Sequence, residues 1–280
     1  MQVFRTAKAI LGESLVWDAD AGAMLWCDIT AGLIHRSPID GATDGSDDTT
    51  IALPPPVASF GLSDDGGLVV SLGDRVVLTD ARGEVTRTLA MIEHGHPEMR
   101  LNEGKVDLAG RWITGSMDLR DGDPDGAFYA VTPSGAVTLI GGVAIGNGLE
   151  FADGRIWFTD TGAATIYVAD YDGAISNVAA WHSGEPHDGL VMAADGTFWG
   201  ALYGEGKVVH YAADAKELET VEMPAPNVTS VALDSAGRLY VASARENLTE
   251  EQLEAHPLSG SIFVFDTDSA ARPQRRFSAG

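Results

Sequence analysis

The sequence predicts an all-β six-bladed β-propeller, and three observations carry that expectation. A turn-and-strand phrase recurs six times, the strands are short and rich in Val, Ile, Tyr, Trp and Phe, and helical periodicity is almost absent. The phrase is an acidic or turn residue, a glycine, a basic or small residue, then an apolar-aromatic run. It opens as Asp18-Ala-Asp-Ala-Gly22-Ala-Met-Leu-Trp26 and continues as Asp64-Asp-Gly-Gly-Leu-Val-Val70 and Asp107-Leu-Ala-Gly-Arg-Trp112. It returns as Asp153-Gly-Arg-Ile-Trp157, Asp195-Gly-Thr-Phe-Trp199 and Asp234-Ser-Ala-Gly-Arg-Leu-Tyr240. Anchored on Trp26, Val70, Trp112, Trp157, Trp199 and Tyr240, the copies lie 44, 42, 45, 42 and 41 residues apart.

Each element follows from local chemistry. The Asp-Gly and Asp-x-x-Gly turns end one strand and start the next. Second strands follow, as in Ile166-Tyr-Val-Ala-Asp-Tyr-Asp-Gly173 and Gly206-Lys-Val-Val-His-Tyr211. A lone blade cannot cover both its faces, so six stack about an axis as one domain of residues 1–280, with the chain ends sharing a blade. Leu248–His256 is the main helical exception and reads as one or two turns inside a loop. A β-helix coil is shorter than this repeat, and a sandwich is less regular.

Composition narrows the function. The net charge is −23, with 41 acidic and 18 basic residues, and only Lys8, Lys105, Lys207 and Lys216 are lysines. Such a surface repels nucleic acid and anionic membranes, which need clustered Lys and Arg, so neither is an expected partner. No apolar run is long enough to span a bilayer, the first residues lack the apolar core of a signal peptide, and Cys27 is the lone cysteine. A soluble cytoplasmic protein is expected.

Several chemistries have no support. There is no Walker loop, no dinucleotide fingerprint and no Gly-x-Ser-x-Gly elbow, so nucleophilic serine or cysteine catalysis is not indicated. Asp121-Gly-Asp-Pro-Asp125-Gly126 imitates an EF-hand loop but has Thr132 in place of the twelfth-position glutamate, and reads as an acidic turn. His94, His96, His182 and His187 read as solvated loop histidines.

Four segments place polar residues just ahead of a blade's turn phrase. They are Leu11-Gly-Glu13-Ser-Leu-Val-Trp17, Arg100-Leu-Asn102-Glu-Gly-Lys-Val-Asp107, Ile145-Gly-Asn147-Gly-Leu-Glu150 and Pro186-His-Asp188-Gly-Leu190. Glu13, Asn102, Asn147 and Asp188 precede their anchors by 13, 10, 10 and 11 residues, so they are expected at one height around a central channel. Two carboxylates and two amides are an oxygen set for one hard divalent cation such as Ca²⁺, Mg²⁺ or Mn²⁺. The charge of that cation would offset the repulsion of the carboxylates.

These phrases, in this order, resemble the gluconolactonase, regucalcin (senescence marker protein) and luciferin-regenerating enzyme family over nearly the whole chain. The tail Pro224–Thr229, Ala242-Ser-Ala-Arg245 and Pro257-Leu-Ser-Gly260 is closest in pattern to bacterial sugar-acid lactonases. The resemblance implies Glu13, Asn147 and Asp188 as ligands of one divalent metal ion, which in this family is Ca²⁺, Mg²⁺, Mn²⁺, Zn²⁺ or Fe²⁺. It implies Arg100 and Asn102, with Glu103 beside them, as substrate-binding residues. The chemistry implied is metal-assisted hydrolysis of a sugar (aldono) lactone with Asp188 as general base. Hydrolysis of another ester or a phosphotriester, and a calcium-binding propeller without turnover, are the alternatives. One departure is visible: animal members carry a glutamate shortly after the Gly-x-Met phrase, where this chain has Arg120.

Overall fold

Each copy of the repeated phrase supplies the second strand of a four-stranded antiparallel sheet. The computed structural model describes residues 1–120 and 122–280, so Asp121 of the acidic turn lies outside the described residues. In chain order, β1 (Gln2–Arg5) is followed by β2 (Gly12–Asp18), β3 (Ala23–Asp28), β4 (Leu33–Pro38) and β5 (Thr49–Ala52). Next come β6 (Val57–Leu62), β7 (Leu68–Leu72), β8 (Arg75–Thr79) and β9 (Val85–Met91), then β10 (Met99–Val106), β11 (Trp112–Asp118), β12 (Gly126–Thr132) and β13 (Gly135–Val143). The fourth group is β14 (Gly146–Ala152), β15 (Arg155–Asp160), β16 (Thr165–Tyr171) and β17 (Ile175–Ser183). The fifth is β18 (His187–Met192), β19 (Phe198–Leu202), β20 (Lys207–Tyr211) and β21 (Glu217–Glu222). The last strands are β22 (Val228–Leu233), β23 (Arg238–Ser243) and β24 (Ile262–Asp266).

Among the described residues these strands form six four-stranded sheets, the blades of a six-bladed β-propeller. The six anchors lie on β3, β7, β11, β15, β19 and β23, as the spacing requires. The last sheet has the order β1-β24-β23-β22, with Gln2 opposite Val264 and Val3 opposite Phe263. The chain ends therefore share a blade, as expected. The helical turn is α1 (Glu250–Ala255), started by a capping box in which Thr249 and Gln252 bond each other's backbone N–H. No helix among the described residues is long and apolar enough to cross a membrane.

Contacts divide the chain into two compact units. The first holds Met1–Leu53 and Asp188–Gln274, and the second holds Pro54–His187 and Arg275–Gly280. Burial falls across each blade. First strands such as β6, β14 and β22 are buried along their whole length, whereas the fourth strands β5, β9 and β21 are mostly exposed. The exposed edge β21 carries Glu217, Glu219 and Glu222, charges that discourage further strand pairing.

The turn phrase has a specific structural use. Asp107 accepts backbone N–H bonds from Ala109 and Arg111, and its other oxygen accepts from Arg111 Nε at 2.8 Å and Tyr171 Oη at 2.8 Å. Asp234 repeats the pattern with Ala236, Arg238 and Tyr240. Gly110 and Gly237 sit at φ +80° and +85°, which the turn requires and glycine adopts without strain. Three of the anchor indoles bond to serines: Trp26, Trp112 and Trp199 donate Nε1–H to Ser37, Ser71 and Ser269 at 3.1, 2.9 and 3.1 Å.

Candidate functional site

Three of the candidate side chains, Glu13, Asn102 and Asn147, sit at a recurring irregularity. The ladder slips between Glu13 and Val16 in β2, between Leu101 and Gly104 in β10, between Asn147 and Leu149 in β14, and between Val228 and Val231 in β22. A bulge bends its strand and re-aims the side chains beside it. Ser14 at φ +53° and Gly148 at φ +25° take up the bend directly after Glu13 and Asn147. Backbone groups freed by the bulges find partners within their own unit. Leu15 N donates to Ser230 Oγ at 3.0 Å in the first unit, and Ser59 Oγ donates to the Asn102 carbonyl at 2.6 Å in the second.

Register compares three of the four polar positions, Glu13, Asn102 and Asn147. Gly12 lies opposite Asp28 with Glu13 opposite Cys27, and Gly146 lies opposite Asp160 with Asn147 opposite Thr159. Glu13 and Asn147 thus hold one position in their two blades. The longer Glu13 offset arises because its turn is longer and its anchor lies one step further along β3. Asn102 is different, because it lies inside its bulge, one residue beyond the Leu101–Ser116 pair. Its offset of 10 residues thus equals that of Asn147 from a different register position, and the two side chains meet directly. Asp160 and Asp28, of which the sequence reading missed Asp28, fix the approach to Asn147 and Glu13. Asp28 accepts from the Ile10, Leu11 and Ala31 N–H groups, and Asp160 from those of Ala144, Ile145 and Ala163. The signal was an aspartate ending the second strand of each of those two blades.

In the second unit a hydrogen-bond chain fixes Asn147. Arg100 Nη1 donates to the Leu101 carbonyl at 3.0 Å and to Asn102 Oδ1. Asn102 Nδ2 then donates to Asn147 Oδ1 at 2.7 Å and to the Gly146 carbonyl at 3.2 Å. On the far side, Asn147 Nδ2 donates to Thr161 Oγ1 at 2.8 Å, and Thr161 donates its one hydroxyl proton to the His187 carbonyl at 2.6 Å. Both ends dictate the same amide orientation. An arginine only donates, so Asn102 must turn its oxygen to Arg100 and its nitrogen to Asn147. Thr161 has its proton engaged, so it accepts from the Asn147 nitrogen. Asn102 and Asn147 are buried, at 7% and 5% exposure.

Glu103 is half-buried in the same strand, and its Oε1 accepts from Gly104 N at 2.9 Å. Burial pushes its carboxyl up, Glu150 adds to the rise, and the Gly104 N–H and Lys105 oppose it. Lys105 pairs with Glu150 at 2.6 Å. Gly104 is obligatory, because a Cβ there would lie 2.1 Å from Trp112 Cζ2 and 2.8 Å from Ser59 Oγ. Arg120, at the position of the departure from the family pattern, pairs with Asp118 at 3.1 Å and Asp125 at 3.7 Å.

The first unit holds Glu13 on β2 and Asp188 on β18. Both act on one phenol, that of Tyr203, directly after β19. Burial raises the Tyr203 pKa, and the carboxylates of Asp188, Glu246 and Glu13 raise it further against the opposing Asn247 bond. Its oxygen accepts from Asn247 Nδ2 at 3.0 Å and Asn227 Nδ2 at 3.4 Å. Tyr203 and Glu246 carried no distinguishing sequence pattern.

The histidines correct the sequence reading in part. His187 is fully buried rather than solvated, and burial, with a smaller effect from His182, pushes its imidazole down to about 4. His96 pairs with Asp118 at 3.5 Å and with Asp125 at 3.8 Å.

Comparison with known proteins places these residues in context. The SMP-30/Gluconolactonase/LRE-like region matches residues 11–245. The chain is 32% identical over 270 residues to a 6-deoxy-6-sulfogluconolactonase of Pseudomonas putida, covering 91% of each. It is 32% identical over 282 residues to an L-arabinolactonase of Azospirillum brasilense, covering 96% of this chain and 92% of the relative. Among solved structures, the calcium-binding protein regucalcin from Agrobacterium tumefaciens superposes with a TM-score of 0.90 at 25% identity, covering 99% of this chain and 96% of that one.

Proposed function

The chain belongs to the SMP-30/gluconolactonase/LRE-like family, and on that premise we propose that it is a metal-dependent hydrolase that opens a sugar lactone to the sugar acid. Two lactonases among its relatives, each aligned over nine-tenths or more of both chains, support the substrate class. In this reading Glu13, Asn147 and Asp188 hold one divalent cation. The observation that carries it is the orientation of Asn147, whose amide nitrogen is tied to Thr161 so that its oxygen is the atom presented. The donors fit such an ion: the Glu13 and Asp188 carboxylates both bear on the Tyr203 hydroxyl, and the third donor is a neutral, buried amide oxygen.

When bound, the cation would act as a Lewis acid for the lactone carbonyl. The remaining work belongs to side chains. Arg100 and Asn102, with Glu103 next to them on β10, hold the sugar hydroxyls, Arg100 through a planar fork of donors. Asp188 takes the proton of the attacking water as the new carbon–oxygen bond forms. The ring carbon–oxygen bond then breaks, and the leaving alkoxide takes up a proton to give the open hydroxy acid. Tyr203, held as a neutral phenol, adds no further negative charge beside the two carboxylates.

A panel of aldonolactones, simple esters and a phosphotriester, followed by proton release, tests the substrate class. Turnover confined to sugar lactones is expected. Equal turnover of the phosphotriester would reassign the reaction, and no turnover of any member with cation bound would leave a binding propeller.

A further inference from the structure

His182, Glu185 and His187 form a cluster that the reading above does not use. His182 is near the end of β17, and His187 starts β18. Glu185 Oε2 lies 3.0 Å from His182 Nε2 and 4.0 Å from His187 Nε2. The three ligand atoms all fall within 4.8 Å of one another. The imidazole planes stand at 83° with centroids 5.3 Å apart, so they are not stacked on each other.

We propose that His182, Glu185 and His187 form a second metal site, specific for a late first-row divalent cation such as Zn²⁺ and separate from Glu13, Asn147 and Asp188. The donor types decide the class. Two imidazole nitrogens and one carboxylate suit Zn²⁺, Co²⁺ or Ni²⁺, whereas Ca²⁺ and Mg²⁺ prefer oxygen alone. The backbone prepares the ligands. His187 Nδ1 lies 3.2 Å from the Glu185 carbonyl oxygen, which can only accept, so Nδ1 carries the proton and Nε2 presents its lone pair. A ligating histidine is commonly held this way, by its second nitrogen on a backbone carbonyl. That same carbonyl accepts from His187 N at 2.9 Å, and Gly184 N is bonded to the Ala164 carbonyl at 2.9 Å. Gly184 at φ +110° and the ring of Pro186 complete a short, constrained loop. Tetrahedral bonds of about 2.1 Å need donor atoms roughly 3.4 Å apart. The His182–Glu185 pair is already tighter than that, and the other pairs lie within 4.8 Å. A cation here would tie the last strand of the fourth blade to the start of β18, one residue before Asp188.

The test is Zn²⁺ titration of metal-stripped protein by calorimetry. In a Glu13→Gln background, which removes one donor of the other proposed site, one Zn²⁺ per chain should still bind. His182→Ala and Glu185→Gln should each weaken that event at least about tenfold, with circular dichroism showing the fold retained. Excess Ca²⁺ should not displace the ion. Unchanged Zn²⁺ affinity in both variants, displacement by Ca²⁺, or loss of the event on His96→Ala instead would overturn the proposal. Because the His182 and Glu185 effects are read independently of lactone turnover, they stand or fall apart from the proposed activity.

Discussion

Thr161→Val isolates the device that orients Asn147. Valine keeps the shape and volume of threonine, so no cavity opens, but it removes the hydroxyl that accepts from Asn147 Nδ2 at 2.8 Å and donates to the His187 carbonyl at 2.6 Å. Both orphaned groups belong to buried residues, at 5% and 0% exposure. A buried polar group left without its partner costs about 1–3 kcal/mol, so with two such groups the variant should lose roughly 2–6 kcal/mol of unfolding free energy. The second effect concerns the cation. With its nitrogen released, the Asn147 amide is held only by Asn102, and affinity should fall about 10–100-fold, as on loss of other partners that orient a ligand. Urea unfolding measures the first effect, and Mn²⁺ or Ca²⁺ titration of the folded variant measures the second. Thr161→Ser, which restores the hydroxyl, should recover both. Wild-type cation affinity in folded Thr161→Val would refute the argument that this bond presents the Asn147 oxygen.

Asp188→Asn removes the charge and the base while keeping the size, and should lower kcat at least about a hundredfold in metal-loaded protein, read by proton release on the best lactone. Arg100→Ala and Asn102→Ala should each cost about 1–3 kcal/mol in kcat/KM with metal content kept. Metal loss in Asn102→Ala would instead make its bond to Asn147 the dominant role. Gly104→Ala places a methyl 2.1 Å from Trp112 Cζ2 and should lower the unfolding free energy by about 1–3 kcal/mol or more, measured by thermal melting. For metal-stripped protein, His187 is held at about 4 against an ordinary 6.5, so on acidification the unfolded chain takes its proton first. The His187 contribution is therefore whole above pH 6.5 and is lost as the pH falls from 6.5 towards 4, in total about 3 kcal/mol. The difference in unfolding free energy between wild type and His187→Gln, measured by urea at pH 7 and at pH 4.5, should shrink accordingly.

The blades were legible because their cause is local. An aspartate that closes a turn on its own following N–H groups, and an aromatic that fills the sheet behind it, recur at fixed spacing, and Asp107 and Asp234 show the same bonds in two blades. Glu13 and Asn147 share one register position, each after a glycine opposite an aspartate, a pairing that only the ladder reveals. Counting residues to the anchors did not give the register of Asn102, because turn length and bulge position both vary and only the ladder reveals it. Thr161, Tyr203 and Glu246 were invisible because their partners lie in different strands and loops, at distances along the chain that no periodic pattern marks. His187 was misread because a histidine beside Gly and Pro looks like loop, whereas burial of the strand that it begins decides its state.

The most direct test of the central claim is hydrolysis of a sugar lactone by the same protein before chelation, after it, and after return of one equivalent of divalent cation. Proton release should vanish on chelation and return on reloading in wild type, while reloaded Asp188→Asn should reach no more than about a hundredth of the wild-type rate. Undiminished lactone hydrolysis by protein shown by elemental analysis to be metal-free would contradict the account.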